Sequence, residues 1–321
     1  MKAPREPNSV LPSGTRLRTH RRRFLAALGT AAGACTWPRV GFAQTGAPIT
    51  RPIPVSGERL PVVGVGSWLT FNVGSAAAAR APLVPVLQTF FDRGGAMIDS
   101  SPMYGTSESV IGYLLARASG RSRLFSATKI WTYGKAAGVR QVQTSMELWG
   151  ISRFDLVHIH NMLQWETHVE TLKEFKAAGK IRYIGITTSH GRGHGELERA
   201  LNRERFDFVQ FTYNFADRSV EQRLLPLAAE RGIGVVINRP FDGGDLFEVV
   251  GRQPLPTWSR EFDCTNWAQF FLKFVVSHPA VTCAIPATSQ TAHMVENMGA
   301  LYGRLPDMAL RKRMTQHMET L

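Results

Sequence analysis

Eight short apolar runs, each followed by a longer stretch with helical periodicity, constrain the fold of this 321-residue chain more than any other feature. The runs are rich in β-branched residues and apolar nearly throughout, which is typical of strands buried on both faces of a parallel sheet. They are Val62–Trp68, Ala96–Ser100, Leu124–Ile130, Phe154–His160, Ile181–Thr188, Phe206–Tyr213, Ile233–Asn238 and Val281–Ile285. Strands that alternate with helices predict right-handed crossovers, and eight such units in about 250 residues predict an α/β fold of the (β/α)8 barrel type.

An open, doubly wound sheet is the alternative to a barrel. That fold would need a glycine-rich phosphate-binding turn after its first strand, and Gly64–Trp68 has neither the third glycine nor a following helix. Ahead of the first strand, Arg51–Val55 and Glu58–Pro61 flank a turn at Gly57, which predicts a β-hairpin that plugs the bottom of the barrel. Residues 44–321 are therefore expected to form a single barrel domain.

The first 43 residues form a leader of a different kind. Arg21–Arg23 precede the uncharged, apolar stretch Ala26–Trp37, and a small-x-small site follows at Gly41–Ala43, which is the pattern of a signal peptide. The stretch is shorter than the roughly 20 residues that a membrane-spanning helix needs. The arginine pair followed by Phe-Leu resembles a twin-arginine signal. We therefore expect the export machinery to be a partner, cleavage after Ala43, a periplasmic location, and no membrane span in the mature chain.

The basic charge of the chain is unevenly distributed. The formal net charge is +13, and residues 1–43 hold eight Lys and Arg residues against one acid, so about half of the excess belongs to the leader. The mature chain is only mildly basic, and nucleic-acid binding is not expected.

Two cysteines, Cys264 and Cys283, belong to the mature chain. A disulfide between them is one alternative in an oxidising compartment, but their apolar contexts favour buried, unreactive thiols.

Four polar residues at the ends of consecutive predicted strands are the candidate catalytic groups. Asp99 ends the second strand, with Tyr104 five residues later, while Lys129 lies near the end of the third strand and His160 at the end of the fourth. In such barrels the active site lies at the carboxyl ends of the strands. A free tyrosine holds its proton too tightly to be a good acid at neutral pH, but a nearby ammonium lowers its pKa and a carboxylate keeps that ammonium charged and in place. An imidazole can orient a carbonyl oxygen.

These segments resemble the aldo-keto reductase family from about Arg51 to Leu301. The resemblance is carried, in order, by GERLPVVGVGSW, GGAMIDSSPMYGTSESVIG, SATKIW, DLVHIH, GKIRYIGIT, FVQFTYN and IPATSQTAHMVEN. It implies a reductase that transfers a hydride from a reduced nicotinamide to an aldehyde or ketone, a small-molecule carbonyl substrate, without a metal. It also implies that Tyr104 is the general acid, Lys129 tunes it, Asp99 pairs with Lys129, and His160 orients the carbonyl.

The same resemblance assigns the residues at the nicotinamide end of the cofactor. Gln210 matches the family's glutamine, while Thr187 and Thr188 stand where Ser-Asn is common. Thr187 keeps a hydroxyl, but Thr188 lacks the separate donor and acceptor of a carboxamide. Where the family often stacks a tyrosine on the nicotinamide, this chain has Asn238, Arg239 and Pro240. An arginine plane can stack there, but it also brings positive charge near the ring.

At the adenosine end, the resemblance points to the last strand and the helix after it. Ala287 and Thr288 replace a phosphate-binding Lys-Ser pair, His293 replaces an arginine, and Glu296 and Asn297 keep the adenine-contacting positions. With Ala287 and His293 in place of two cations, only weak electrostatic recognition of the 2′-phosphate of NADP(H) is expected. NADP(H) is therefore expected in preference to NAD(H), with modest selectivity.

Two other functions compete with the reductase. His158 and His160 lie on one face of a strand, and barrel hydrolases bind divalent metals with His-x-His pairs. In those enzymes the pair is usually on the first strand, and the further histidines here, His190 and His194, lie beside glycines in an apparent loop. A barrel that binds but does not catalyse is the second alternative, given the changes in the cofactor site.

Aromatic residues after the first and third strands suggest a substrate surface. Trp68, Phe71, Trp131 and Tyr133 either form an apolar wall beside the site or pack as ordinary loop aromatics.

Overall fold

The computed structural model describes residues 46–321, so the leader and its predicted cleavage site lie outside the described residues. A two-stranded antiparallel hairpin comes first, formed by β1 (Thr50–Pro52) and β2 (Arg59–Pro61). Eight parallel strands follow in chain order. They are β3 (Val65–Gly66), β4 (Met97–Asp99), β5 (Phe125–Ile130), β6 (Phe154–Ile159), β7 (Ile181–Thr187), β8 (Phe208–Thr212), β9 (Gly234–Asn238) and β10 (Cys283–Ala284).

Helices cover the outside of the sheet and connect its strands. They are α1 (Ala77–Arg80), α2 (Val84–Asp92), α3 (Ser107–Leu115), α4 (Lys135–Trp149), α5 (Trp165–Ala177), α6 (His194–Arg203), α7 (Leu224–Glu230), α8 (Asp245–Val250), α9 (Trp267–Val276), α10 (Thr291–Gly299) and α11 (Met308–Met318). Among the described residues, none of the helices combines the length and apolar composition that a membrane crossing requires.

The sheet closes on itself. Each strand pairs with the next in the chain, and parallel bridges from Val63 to Ala284 and from Gly66 to Ala287 join the first strand to the last. The amide of Gly64 also donates to the carbonyl oxygen of Ala284 at 2.8 Å. The (β/α)8 barrel is confirmed, and the open sheet is excluded by this closure.

All eight barrel strands are shorter than the apolar runs that predicted them. Val62 and Val63 are fully buried, yet β3 begins at Val65, and β10 covers only two residues of the run Val281–Ile285. An apolar run marks burial against the helices, whereas a strand also requires regular pairing with both neighbours, which is interrupted where the barrel closes.

The predicted hairpin fills the amino-terminal end of the barrel, as expected. Ile53 and Leu60 from the hairpin belong to one apolar cluster with Phe125, Tyr183 and Phe208 from three barrel strands. The ring centroids of Tyr183 and Phe208 are 5.5 Å apart, and those of Phe125 and Tyr183 are 6.0 Å apart. This end of the barrel is therefore a packed core and not a site.

Both described cysteines are free thiols and buried. Burial raises the pKa of the Cys264 thiol to about 12, and it raises the pKa of Cys283 further still. The expectation of buried, unpaired thiols is confirmed, and the raised pKa values disfavour the thiolate, which is the reactive form.

Candidate active site

Three neighbouring strands bring the four candidate catalytic residues together at the carboxyl end of the barrel. Asp99 is the last residue of β4, Lys129 lies one residue before the end of β5, and His160 directly follows β6. Tyr104 lies in the loop between β4 and α3. Because parallel strands end on the same side of a sheet, residues far apart in the sequence meet here.

Lys129 and Asp99 form a buried ion pair beneath this end of the barrel. The Lys129 ammonium donates to both Asp99 carboxylate oxygens, at 2.8 Å to Oδ2, and to the carbonyl oxygen of Ser100 at 2.8 Å. The side-chain amide of Gln210 donates to Asp99 Oδ2 at 3.3 Å. Burial alone would lower the pKa of Lys129, but the acidic groups around it, with Asp99 first among them, together more than offset it and the pKa is raised. The predicted pairing of these two residues is present.

Tyr104 lies above this pair. The Lys129 Nζ atom is 5.3 Å from the centroid of the Tyr104 ring. Burial raises the pKa of the Tyr104 phenol above its usual value, and the Lys129 ammonium acts in the opposite direction without reversing the shift. The expected effect of the ammonium is thus present, but desolvation outweighs it, because the phenolate loses more hydration energy than one positive neighbour returns.

His160 is a neutral imidazole in this site. Burial, and then the Lys129 charge, lower its pKa to about 3. Its Nδ1 lies 3.0 Å from the Ser101 hydroxyl, and its ring stands edge-on to the Tyr104 ring at 5.8 Å between centroids. If the Ser101 hydroxyl donates to Nδ1, then Nε2 carries the proton and can donate to an oxygen.

His158 lies inside the barrel and contributes no ligand-binding geometry of its own. It is fully buried, and neither ring nitrogen has a hydrogen-bond partner among the described residues. Burial lowers its pKa well below the usual value, so it is neutral. Its ring fills the space above Gly185, where a Cβ atom would lie 2.1 Å from Nδ1. Within residues 46–321, no group of three His, Cys, Asp or Glu side chains is arranged to hold a metal ion.

A cavity of about 440 Å³ opens above the four residues, and several predicted cofactor residues line it. The lining includes Tyr104, His160, Thr187, Thr188, Gln210, Asn238, Arg239, Pro240 and Ala287. The remaining predicted positions, Thr288, His293, Glu296 and Asn297, lie at or along α10 and do not line this cavity. Thr288 and Asn297 are buried and His293 is exposed.

Two of the substituted side chains are already engaged within the protein. The Thr188 hydroxyl donates to the carbonyl oxygen of Arg192. The Asn238 amide donates to the carbonyl oxygen of Thr188 at 2.9 Å, and its oxygen accepts from Thr212 at 2.7 Å. Both residues therefore hold the ends of neighbouring strands and loops together.

Asn161 is a lining residue that the sequence analysis did not identify. Its backbone amide donates to the Thr187 hydroxyl at 3.0 Å, and its side-chain oxygen accepts from Ser189 at 3.3 Å. Its backbone is left-handed, with φ 48°, a conformation that asparagine tolerates better than most residues. Such backbones cluster at functional sites. In the sequence, the only indication of this role is that asparagine tolerates a left-handed backbone. The sequence does not show that Asn161 lies beside Thr187 of the neighbouring strand.

Arg239 sits beneath a glycine pair at the edge of the cavity. Its backbone is also left-handed, with φ 49°, and its guanidinium pairs with Asp242 at 3.2 Å. A Cβ atom on Gly243 would lie 3.0 Å from an Arg239 nitrogen, and both Gly243 and Gly244 have positive φ. The Arg239 Nε atom is buried and has no hydrogen-bond partner within residues 46–321. An arginine N–H group without a partner, next to glycine backbone, is suited to bind a phosphate group. The residues at this edge of the cavity therefore fit the phosphates of a dinucleotide.

The aromatic residues predicted to form a wall divide into two groups. Phe71 is fully buried in the main core and belongs to packing. Trp68, Trp131 and Tyr133 are exposed, and Trp68 lines the cavity. The Trp131 ring centroid lies 6.5 Å from that of His160. The wall interpretation therefore holds for Trp68 and Trp131, whereas Tyr133 is exposed outside the cavity lining.

The closed barrel, the buried Lys-Asp pair and the tyrosine and histidine above it define a barrel oxidoreductase site. A profile of the aldo/keto reductase family matches residues 62–315, so the chain belongs to that family. The prediction of a nicotinamide-dependent carbonyl reductase is confirmed at the level of the family, which favours it over the hydrolase alternative.

Individual relatives resemble the chain over most of its length. The methylglyoxal reductase YeaE of Escherichia coli is 26% identical over 257 residues, which cover 78% of this chain and 88% of that protein. An aldo/keto reductase from Klebsiella pneumoniae, solved in complex with NADP and acetate, is 26% identical with a TM-score of 0.70, covering 81% of this chain and 92% of that one. An aldo-keto reductase from Bacillus halodurans is 21% identical with a TM-score of 0.68, covering 85% and 96%, and shows the shared fold.

Proposed function

We propose that this protein reduces aldehydes or ketones with NADPH, and that Tyr104 donates the proton to the carbonyl oxygen. The observation that carries this proposal is the arrangement of four side chains at the floor of one cavity. The ionised Lys129–Asp99 pair lies below, and the Tyr104 hydroxyl and the neutral His160 ring lie above. Among the four residues, only Tyr104 is an acid that faces the cavity and carries a proton at neutral pH that an oxygen could accept.

Each residue then has a separate task. The carbonyl oxygen is placed between the Tyr104 hydroxyl and the His160 imidazole, which donates a hydrogen bond without carrying charge. As the proton leaves Tyr104, the Lys129 ammonium stabilises the phenolate, and Asp99 keeps that ammonium in position. Ser101 fixes the tautomer of His160. The bound nicotinamide supplies the hydride for the carbonyl carbon, and the product is an alcohol.

For the nicotinamide amide group, we propose Thr187, Asn161 and Gln210 as the contacts. Thr188 and Asn238, which the family pattern suggested, use their polar groups within the protein. Asn161 offers a side-chain NH2 donor that Thr188 lacks, while its side-chain oxygen accepts from Ser189, and its backbone bond to Thr187 keeps the two residues side by side.

For the phosphates, we propose Arg239 and Arg192, both of which line the cavity. The preference for NADPH is supported by the solved Klebsiella pneumoniae relatives in complex with NADP and with NADPH. Selectivity over NADH is expected to be modest, since Ala287 is uncharged and His293 lies outside the cavity.

The test is the oxidation of NADPH in the presence of a panel of carbonyl compounds, using residues 44–321. The parent protein should oxidise NADPH only when a carbonyl is added. Tyr104→Phe keeps the ring but removes the proton, so turnover should fall by about 10²–10⁴-fold while NADPH binding persists. If Tyr104→Phe matches the parent, the assignment of the acid is wrong. If the parent binds no dinucleotide, the reductase proposal fails, and the alternative of a catalytically silent barrel that binds another ligand is favoured.

We also propose that the enzyme is exported, folded, to the periplasm by the twin-arginine route and is cleaved after Ala43. The support is the pattern of Arg21–Arg23, the apolar stretch and the small-x-small site. Replacing Arg21 and Arg22 by Lys should leave the precursor in the cytoplasm, as seen by fractionation and immunoblotting. Undiminished mature protein in the periplasm would contradict this route.

A further inference from the structure

The two ends of the barrel differ in net charge. At the amino-terminal end, the connections from each helix to the next strand hold eight Lys and Arg residues against two acids. These connections are residues 93–96, 116–124, 150–153, 178–180, 204–207, 231–233 and 277–282. At the carboxyl-terminal end, the connections from each strand to the next helix hold four cations against three acids, in residues 67–76, 100–106, 131–134, 160–164, 188–193, 213–223, 239–244 and 285–290. The amino-terminal end is therefore the basic end of the barrel.

Ion pairing strengthens this asymmetry. Both acids of the amino-terminal connections are already paired, Glu204 with Lys173 at 2.9 Å and Asp207 with Lys176 at 2.6 Å. Seven of the eight cations are exposed and form no ion pair within residues 46–321. We call these seven side chains the basic arc, and they are Arg117, Arg121, Arg123, Arg153, Lys180, Arg205 and Arg231.

The basic arc is continuous around the rim of the barrel. Its members come from the five connections that precede β5, β6, β7, β8 and β9, and these strands are neighbours in the same order in the sheet. Arg121, Arg153 and Lys180, which belong to three of those connections, line one open depression on the surface. Cations that are scattered along the sequence are thus gathered on one face.

Contacts within the protein do not neutralise the basic arc. Backbone carbonyls at the carboxyl-terminal end of a helix favour nearby cations, and three of the arginines donate to carbonyl oxygens, as Arg121 does to that of Gly150. A carbonyl group has no net charge, so the positive charge remains. The other four side chains of the arc donate to no group in the described part of the chain. Their mutual repulsion is not offset inside the protein, which points to an anionic partner outside it.

The hydrophobic side chains exposed at this end indicate the chemistry of that partner. Leu148, in the last turn of α4, and Val55, in the turn of the hairpin, are both exposed and aliphatic. The hairpin lies beside the arc, because a Cβ atom on Gly232 would be 3.9 Å from Pro54 Cβ. Cations with aliphatic neighbours suit a lipid surface, where headgroup phosphates meet the cations and apolar side chains reach the acyl boundary.

Exposed aromatic rings are found elsewhere in residues 46–321. They lie in α8 or in connections that follow strands, and they are Trp68, Trp131, Tyr133 and Phe247. The basic arc therefore offers no rings on which the bases of a single-stranded nucleic acid could stack. A lipid surface needs no such rings.

We propose that the basic arc docks this protein on anionic phospholipid surfaces, with headgroup phosphates bound by Arg121, Arg153 and Lys180. The cavity that contains Tyr104 opens at the opposite end of the barrel, so docking leaves it facing the solvent. This peripheral binding goes beyond carbonyl reduction and does not depend on it. It should weaken as the ionic strength rises, because salt screens exposed charges.

Co-sedimentation with lipid vesicles tests the proposal. Residues 44–321 are used, because the closed barrel lies within residues 46–321 and the basic leader would itself bind anionic lipid. The parent should sediment with vesicles of phosphatidylglycerol and phosphatidylcholine in about equal amounts, and not with phosphatidylcholine alone. Salt at about 1 M should release it. If the parent does not sediment with the anionic vesicles, the proposal is wrong.

Charge reversal locates the docking site. The triple variant Arg153→Glu/Lys180→Glu/Arg231→Glu should bind the anionic vesicles at least about tenfold more weakly than the parent. These three side chains are exposed and make no hydrogen bond in the described part of the chain, so the thermal unfolding midpoint should change little. Unimpaired vesicle binding by the folded triple variant would overturn the basic arc as the docking site.

The matched control reverses three exposed cations outside the arc. Arg140→Glu/Arg252→Glu/Lys312→Glu changes the net charge by the same amount, and none of these side chains is in an ion pair within residues 46–321. The control should bind the vesicles within about threefold of the parent, since these positions lie away from the docked surface. Equal losses in the two triple variants would show that net charge alone drives binding, and the assigned site would be wrong.

Two further measurements test the orientation and the kind of partner. NADPH oxidation by the vesicle-bound parent should stay within about twofold of that by the free protein, because the active site lies at the other end of the barrel. Loss of activity on binding would contradict this orientation. Tighter binding to DNA than to anionic vesicles would overturn the choice of lipid. If the parent reduces no carbonyl, the proposed function fails, while sedimentation still decides the docking site.

Discussion

The two ends of the barrel interior are built from the same strands but from opposite kinds of side chains. At the amino-terminal end, β5, β7 and β8 contribute three packed aromatic rings, which the hairpin covers. At the carboxyl-terminal end, β4, β5, β6 and β8 contribute buried polar groups. They are Asp99, Lys129, His158 and Gln210.

The apolar end of the barrel therefore contributes mainly to stability, and the polar end carries the residues proposed for catalysis. Burying the aromatic rings releases water from apolar surface and stabilises the fold. Burying an ammonium and a carboxylate costs desolvation energy that their mutual attraction only partly returns, so the ion pair is weak evidence for stability and strong evidence for function. Substitutions at the apolar end should accordingly lower stability alone, whereas substitutions at the polar end should also lower turnover.

The largest effect is expected for Lys129→Met at the polar end. The variant leaves the buried Asp99 carboxylate without an opposite charge, so the free energy of unfolding should fall by about 3–5 kcal/mol. Turnover should fall as far as in Tyr104→Phe, because the phenolate loses its nearby charge. Urea unfolding and NADPH oxidation measure the two effects.

The double variant Asp99→Asn/Lys129→Met sharpens this result. Removing both charges should restore most of the lost stability without restoring turnover, since no buried charge is left unpaired. If the double variant is as unstable as Lys129→Met alone, the loss comes from packing and not from the uncompensated carboxylate.

At the apolar end, Phe208→Ala should lower stability without lowering turnover. The fully buried ring packs against Tyr183 and over Gly234, so its removal should cost about 3–5 kcal/mol of unfolding free energy. The kcat of the folded variant should stay close to the parent's, because the ring lies away from the cavity. A large loss of kcat in fully folded Phe208→Ala would break the separation between the two ends.

The neutral histidines of the polar end predict a dependence of stability on pH. The folded-state pKa of His160 is about 3, below the usual 6.5, so the unfolded chain binds more protons between these values. Stability that is fully present above pH 6.5 should therefore be lost as the pH falls, by up to about 1.4 kcal/mol per pH unit for this residue.

Urea unfolding from pH 6.5 down to about pH 5 measures this loss. In His160→Gln the loss should be smaller than in the parent, since the variant lacks the group. Parallel pH curves for the two proteins would show that His160 is not held neutral by the fold.

The smallest effect is expected for Asn161→Ala. If its side chain contacts the nicotinamide amide group, its loss should weaken NADPH binding by about three- to tenfold, as for one hydrogen bond. Calorimetric titration with 2′-phospho-ADP-ribose, which lacks nicotinamide, should give an unchanged dissociation constant. Equal weakening for both ligands would mean that Asn161 acts on the loop as a whole.

The order and spacing of residues in the sequence were enough to predict the barrel and the convergence of the candidate catalytic residues at one end of it. The alternation of runs gives the barrel because each apolar run must be buried and each helix must cover it. Asp99, Lys129 and His160 follow from the same rule, since each stands at the end of a strand and such ends converge.

What only the tertiary structure decided lies in the loops and in the ionisation of the buried groups. Phe71 and Trp68 look alike in sequence, yet one is core and the other lines the cavity. Thr188 is a candidate ligand by position, but its hydroxyl is taken by the Arg192 carbonyl, and Asn161 reaches the cavity through a left-handed turn. Periodicity reports the average burial of a segment, whereas a loop side chain's direction and a buried group's pKa depend on contacts with distant parts of the chain.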